Sequence, residues 1–290
     1  MSFVPRQPRQ QSQQSQQSQQ SPPRGAQVLT GKAYLTTVQY RTDVNLAARQ
    51  SIYAFQEPRI DLVSAVLDLA SLTGTETVVD VGCGNGVYLA GLARRGHGGP
   101  AIGVDLSPGM LAAARPGAPA AGLTVGDAAA LPVADRQADV TLAPHMLYHV
   151  PDPAAAVAEF RRITRPGGQL LVVLNGSDHL SELRELITST ARAMELPAGA
   201  AAAVLDTYTV MTLDAGAELL SGAFASVRRH DFTGELRLTC VEPVASYVAS
   251  MRAHTVPDPA AFVAAVTSRV PFSPDGIFRV RTHAGVLVCQ

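Results

Sequence analysis

The chain has 290 residues with 23 basic against 24 acidic side chains, a formal net charge of -1, so it lacks the broad positive field that nucleic-acid binding needs. Hydrophobic residues make up 47%, enough for a substantial core, which excludes wholesale disorder; the length allows one large domain or two small ones. Cys83, Cys240 and Cys289 stand far apart with no CxxC pair, so neither a disulfide framework nor a zinc site is expected, and a reducing compartment fits.

Arg6 and Arg9 are followed by no apolar segment, and no run of about 18 apolar residues occurs anywhere. Neither a signal peptide nor a membrane span is expected, which points to the cytoplasm. Gln10 to Gln20 read QQSQQSQQSQQ between Pro5, Pro8, Pro22 and Pro23. Such a stretch has no apolar face to offset the entropy of ordering, so residues 1–25 are expected to be a disordered tail and 26–290 the folded domain. Basic residues are nearly all Arg, Lys32 being the single Lys, a skew of the kind that GC-rich bacterial coding produces.

Ile60, Val63, Leu67 and Ala70 recur at helical spacing, and Thr73-Gly74-Thr75 ends the run. Thr77 to Val81 reads as a buried strand, Gly82-Cys83-Gly84-Asn85-Gly86 as a glycine loop, and the residues from Val87 to about Gly96 as a helix. Ala101–Val104 predicts a second strand; Ser107-Pro108 supplies an N-cap and a first-turn proline for a helix reaching Ala114. Leu123–Val125, Val140–Leu142 and Leu170–Leu174 read as further strands, the last two separated by a helix opened by Asp152-Pro153 and closed by Pro166-Gly167-Gly168. Strands alternating with helices predict a parallel sheet covered on both faces. Beyond Gly176, Leu183, Leu186, Ile187 and Met194 mark a helix, and Val227–Phe232, Leu236–Leu238 and Val286–Val288 read as late strands.

The chemistry concentrates at the strand ends. A GxGxG loop after the first parallel strand lets the backbone lie against a nucleotide-like ligand while the next helix offers free N–H groups. The spacing is not the GxGxxG of dinucleotide folds, which argues against an NAD-dependent dehydrogenase. Asp80, two positions before the first glycine, would repel a pyrophosphate and suit a ligand carrying an ammonium or sulfonium. Asp105 ends the second strand, 19 residues after Gly86, where a carboxylate accepts both ribose hydroxyls. Asp127, in Gly126-Asp127-Ala128 after the third strand, is placed to meet an adenine amine. Either aspartate alone reads equally as a helix cap or turn residue.

Together and in this order the motifs resemble class I S-adenosylmethionine (SAM)-dependent methyltransferases. VVDVGCGNG is similar to the family's first motif, AIGVDLSPGML to the segment after it, GDAAALPVADRQADVTLAPHMLYHVPDP to the third and fourth strand motifs, and RRITRPGGQLLVVL to the fifth. The likeness covers about residues 77–174 and is nearest to small-molecule enzymes of the ubiquinone and menaquinone biosynthesis type. It implies a doubly wound α/β fold: a mostly parallel seven-stranded sheet with an antiparallel last strand and helices on both faces. It implies SAM as cofactor, with Asp80, Gly82, Gly84 and Gly86 around the methionyl part, Asp105 on the ribose, and Met110, Asp127 and Ala128 at the adenine. It further implies methyl transfer to O, N or C of a small molecule, in bacterial secondary metabolism, with 177–210 a helical insertion over the acceptor pocket.

Methyl transfer from a sulfonium is an in-line displacement governed by positioning, to which one base can be added. His149 and His145, after the fourth strand, are the base candidates, with Tyr148 orienting the acceptor; alternatively these histidines fix the loop by hydrogen bonding. Cys83 reads as a small buried side chain rather than a nucleophile. Tyr40, Arg49 and Tyr53 precede the core and either reach the methionyl carboxylate or substrate, or simply pack. His97, His179, His230 and His283 have no such placement, and no cluster has metal-ligand spacing, so no metal is expected. The alternatives are a SAM-binding enzyme of non-methylating chemistry and an RNA methyltransferase; the second would need a basic groove or a base-flipping motif.

Overall fold

In the computed structural model, residues 31–197, 199–205, 211–251 and 255–290 are described. The Gln/Ser-rich stretch read as a tail lies outside them, as do residues 206–210 of the 177–210 segment. Strand β2 (Val78–Val81) forms where β-branched residues follow a turn, and all four of its residues are buried. Beside it lie β3 (Ala101–Asp105), β4 (Gly122–Val125), β5 (Ala138–Pro144) and β6 (Thr164–Asn175), with β7 (Val227–Leu238) and β8 (Phe278–Cys289) closing the far side. A two-residue strand, β1 (Gln56–Glu57), pairs antiparallel with β7 and makes the sheet eight-stranded, in the order β1-β7-β8-β6-β5-β2-β3-β4. Strands β4, β3, β2, β5 and β6 run parallel, while β8 is antiparallel to both β6 and β7. The doubly wound fold with an antiparallel last strand is therefore present, and β1 is an addition to the seven strands expected.

Strand alternation sorts the core into two layers. Val79, Val81, Leu170, Val172 and Leu174 pack on one face with Phe160 of α5 (Pro153–Ile163) and Leu213 and Leu220 of α8 (Leu213–Ser221). Val78, Val140, Leu171 and Val173 face the opposite way, onto Leu67 of α2 (Leu62–Leu69) and Leu89 and Leu92 of α3 (Val87–Arg94). Phe160 is fully buried, and cutting it to Ala should cost about 3–5 kcal/mol. Helix α4 (Pro108–Ala114) starts as read, with the Ser107 hydroxyl accepting from the Met110 N–H, and α5 likewise, with Asp152 accepting from the Ala155 N–H.

A third core, unforeseen in the sequence, sits on the outer halves of β7 and β8. There Leu236, Leu238, Phe278 and Val280 pack with Ile52, with α6 (Ser181–Ala193), and with α9 (Glu242–Ser250) and α10 (Pro259–Ser268). The short helix α7 (Ala200–Leu205) adds Val204 and Leu205. The late strands read as short pieces are two continuous twelve-residue strands, paired from Val227 with Cys289 to Leu238 with Phe278. Their extra length carries this second platform beyond the main sheet.

Candidate active site

One cavity of about 560 Å³ opens at the carboxyl ends of β2 to β6, where open α/β sheets bind ligands, and its size is ordinary for a small-molecule site. Its floor is the glycine loop. Gly84 (φ +55°) donates its N–H to Asp105 Oδ2 at 2.9 Å, and Ser107 donates its N–H to Oδ1 at 2.8 Å, so the carboxylate is oriented before any ligand arrives. Gly86 (φ +76°) lets α3 start hard against α4, since a Cβ there would lie 2.7 Å from Ala114 Cβ. Burial pushes the Asp105 carboxyl above its ordinary range, against the pull of these N–H groups.

Of the residues expected around the cofactor, Gly82, Gly84, Asp105, Met110, Asp127 and Ala128 line the cavity. Asp80 and Gly86 are not on its wall. Asp80 is fully buried behind the loop, with neither carboxylate oxygen partnered among the described residues, and burial together with the nearby Asp105 charge pushes it up to about 8. Its carboxyl is favoured in the protonated form and lies off the cavity wall; the acidic groups that face the ligand space are Asp61, Asp105 and Asp127. Cys83 is buried and its thiol is raised by burial and by the charges of Asp80 and Asp105, the environment of an inert side chain.

Asp127 is held by Lys32 in an ion pair. Burial alone would raise its carboxyl, but Lys32 and the Ala129 N–H outweigh that and leave it below the usual range. Lys32 belongs to an N-terminal arm (residues 31–43) that runs over the cavity before helix α1 (Val44–Ser51). The arm is fastened twice more: the Ser107 hydroxyl donates to the Tyr40 carbonyl at 2.6 Å, and Tyr40 Oη pairs with His149 Nε2 at 2.7 Å. Leu46, Arg49 and Gln50 share one face of α1 at i, i+3, i+4 and all line the cavity. Leu46 reaches the glycine loop, and Asn85 donates to Gln50 at 3.4 Å. Arg49 donates through Nη1 to the Ser250 carbonyl at 3.0 Å and lies 5.3 Å from the Tyr40 ring centre, while its buried Nη2 has no hydrogen-bond partner among the described residues.

Both histidine candidates are in the cavity wall. His145 adopts φ +53°, donates its N–H to the Val173 carbonyl at 2.9 Å, and is pushed down to about 4 by burial, which makes it a weak base. His149 stands between two tyrosine rings, edge-on to Tyr148 at 4.6 Å and to Tyr40 at 5.3 Å. The far end of the cavity is formed by Tyr53, Gln56, His179, Phe232 and Thr282, with Tyr247 and Met251 over them. His179, for which the sequence offers no site placement, lines this wall: it follows β6 at a strand carboxyl end, the same kind of position as Asp105. Among the described residues no group of His, Cys, Asp and Glu could hold a metal ion, and no helix is long and apolar enough to cross a membrane.

Residues 79–172 match the methyltransferase domain family. The chain is 37% identical over 124 residues, 41% of its length and 50% of the relative's, to a ubiquinone biosynthesis O-methyltransferase of Methylococcus capsulatus. It spans about half the length of the curated relatives it matches, 33%, 50% and 59% of three of them. In fold it resembles a putative methyltransferase from Bacillus halodurans (TM-score 0.56, 18% identity, 78% of this chain and 96% of that one). It also resembles the [4+2]-cyclase SpnF (TM-score 0.56, 19% identity, 92% and 97%). Residues 79–172 thus carry a methyltransferase domain, set in the doubly wound fold of class I SAM-dependent methyltransferases.

Proposed function

We propose that this protein transfers the methyl group of SAM to a small molecule. The carrying observation is the Asp105 carboxylate, fixed by the Gly84 and Ser107 N–H groups at the mouth of the glycine loop. Each carboxylate oxygen keeps lone-pair capacity for a ribose hydroxyl. The other donors fit the remaining parts of the cofactor. Among the described residues Arg49 Nη2 has no hydrogen-bond partner, and α1 presents Arg49 on the face that meets the glycine loop, which suits the methionyl carboxylate. Met110 and Ala128 offer apolar contact and Asp127 an acceptor for adenine. When bound, SAM supplies the electrophilic methyl group; the protein's part is to orient it, shield it beneath the N-terminal arm and hold the acceptor in line.

The named relative methylates oxygen in quinone biosynthesis, which supports a small-molecule oxygen acceptor here. His149 is the better placed of the two histidines to take an acceptor proton, because burial leaves His145 weakly basic. Titration calorimetry with S-adenosylhomocysteine tests the cofactor assignment: saturable binding is expected, with a rise in melting temperature that grows with ligand concentration. Folded protein that shows no heat and no shift at millimolar ligand overturns it. Methylation of acceptors, followed by mass spectrometry with methyl-labelled SAM, separates transfer from binding without transfer.

A further inference from the structure

The charged residues that line the cavity are Lys32, Arg49, Asp61, Asp105 and Asp127, among the described residues. Each belongs to the arm, to α1, to the start of α2 or to the ends of β3 and β4, the side on which the cofactor is proposed to bind. Lys32 and Asp127 pair, Asp61 accepts the Ser64 N–H as a helix cap, and Arg49 shares a face with Leu46 against the glycine loop. At the far end Tyr53, Gln56, His179, Phe232 and Thr282 carry no formal charge; Arg49, which donates to the Ser250 carbonyl beside Met251, is the charged group nearest to it on α1. On β8, Thr282 and Ala284 line the cavity, while His283 between them turns to the opposite face. There it pairs with Asp178 at 2.6 Å and Asp231 at 2.7 Å. On β7, Phe232, directly opposite Ala284, lines the cavity and its neighbour Asp231 does not.

The one titratable imidazole at this end is wired against acquiring charge. His179 is 2% exposed. Its Nδ1 accepts the backbone N–H of His283 at 2.9 Å, so the proton of the neutral ring sits on Nε2, which donates to Tyr53 Oη at 3.0 Å. Protonating the ring would break the bond from His283 and place a cation in a buried wall, where the nearby Asp178 charge does not make up for the lost water and His145, Arg184 and His283 oppose it. Burial accordingly holds His179 down to about 3. Gln56 Nε2 donates to Thr282 Oγ1 at 2.9 Å, so a second pair of polar groups is satisfied without charge.

The geometry points to this far end as an acceptor subsite for an uncharged, largely apolar molecule bearing hydroxyl or carbonyl oxygens, with His179 a positioning residue that fixes the Tyr53 hydroxyl and keeps the pocket neutral. The inference rests on the methyltransferase reading for the word acceptor, but the selectivity is a property of the pocket itself. A charged probe would leave water for side chains that carry no formal charge of their own, whereas a neutral one exchanges water for Phe232, Met251 and Val204.

The test uses three probes on one skeleton: 2-naphthol, 6-hydroxy-2-naphthoate and 6-(aminomethyl)-2-naphthol, titrated by NMR into the full-length protein at neutral pH, with and without saturating S-adenosylhomocysteine. The neutral probe should bind at least about tenfold tighter than either charged one. In His179→Leu, whose side chain is neutral at every pH, that preference should persist while naphthol binds at least about tenfold more weakly, because the Tyr53 hydroxyl loses its donor; His179→Gln, whose amide keeps a donor for Tyr53, should restore part of the affinity. The affinity for S-adenosylhomocysteine should stay unchanged in both. A naphthoate that binds as well as naphthol, equal affinities for all three, no measurable binding of naphthol, or wild-type naphthol affinity in His179→Leu each overturns the inference. Failure of S-adenosylhomocysteine to bind overturns the cofactor reading instead, and the two failures are read from separate titrations.

Discussion

The two ends of the cavity are built on different plans. The cofactor end gathers Gly82 to Gly86, Asp105 and Asp127 from three successive strand ends within about fifty residues, each followed by a helix or turn whose free N–H groups meet a carboxylate. The far end draws Tyr53, His179, Phe232, Tyr247 and Thr282 from segments up to 229 residues apart, brought together only when the long β7–β8 ribbon folds back with α6, α9 and α10. The first end is charged and rigid through short-range hydrogen bonds; the second is neutral and held by packing. Conserving a ligand that always has the same ribose and adenine calls for the first plan, whereas changing acceptors calls for the second.

The largest effect that would break this division belongs to His149, which stands where the ends meet. If it accepts the acceptor's proton, His149→Ala should lower single-turnover methyl transfer about 10²–10⁴-fold while S-adenosylhomocysteine affinity changes far less. His145→Ala should lower the rate much less, since burial already makes that ring a weak base. If His149→Ala instead loses melting temperature and cofactor affinity in proportion to rate, His149 serves only to fasten the arm through Tyr40. Asp105 comes next. Asp105→Ala removes charge-assisted bonds of about 1.5–3 kcal/mol each and should weaken SAM roughly ten- to hundredfold, with Asp105→Asn intermediate. Calorimetry that gives an unchanged dissociation constant would reduce Asp105 to a turn residue.

The contrast also explains what could be read from the sequence. At the cofactor end each functional residue sits within a few positions of a recognisable strand, and its signal is local: β-branched run, glycines, then acid. The Ser107-Pro108 and Asp152-Pro153 starts were equally legible because cap and first-turn proline are adjacent. Asp258-Pro259 is the same signature, with Asp258 accepting the Ala261 N–H, yet the Ala/Val-rich residues of α10 show little periodicity to mark the helix that follows. Arg49 carries no local signal: its partner is the Ser250 carbonyl, 201 positions away, and among the described residues its Nη2 has no hydrogen-bond partner. The environment of Asp80 is illegible for a related reason: its carboxyl is raised by burial that no local pattern reveals.

A smaller effect separates the ends by pH. His145 and His179 are pushed down to about 4 and about 3, so below pH 6.5 the unfolded chain binds protons that the folded one refuses. Their contribution to stability is present above pH 6.5 and is lost as pH falls toward the folded values. Asp80 acts the other way: raised to about 8, it keeps its proton in the folded state and costs stability as pH rises from about 4 to 8. The comparison is therefore a difference between variants. Urea unfolding of His179→Leu should lack one proton of acid dependence relative to wild type, about 1.4 kcal/mol per pH unit well below pH 6.5. His283 has the opposite sign. Burial lowers it, but its bonds to Asp231 and Asp178 outweigh that and raise it, so the stability it adds is full at low pH and fades as pH climbs through the raised value. Identical pH slopes in wild type and His179→Leu would show that the ring is not held neutral.

The smallest effect is expected at Lys32, although its pairing with Asp127 is the most visible ionic contact at the cofactor end. The Lys32 side chain is 58% exposed, so the attraction is screened by water and salt, and such pairs are worth about 0–1 kcal/mol. Lys32→Ala should leave the melting temperature within error and change SAM affinity less than about threefold, because the arm remains tied by Ser107 to Tyr40 and by Tyr40 to His149. The direction is informative even when the size is small. If Asp127 accepts from adenine, freeing it from Lys32 should hold affinity level or improve it slightly, and raising the ionic strength should bring wild type toward the variant. A tenfold loss in Lys32→Ala that salt reproduces in wild type would mean that this ion pair closes the arm over the cofactor, and that the cofactor end is less rigid than its hydrogen bonds imply.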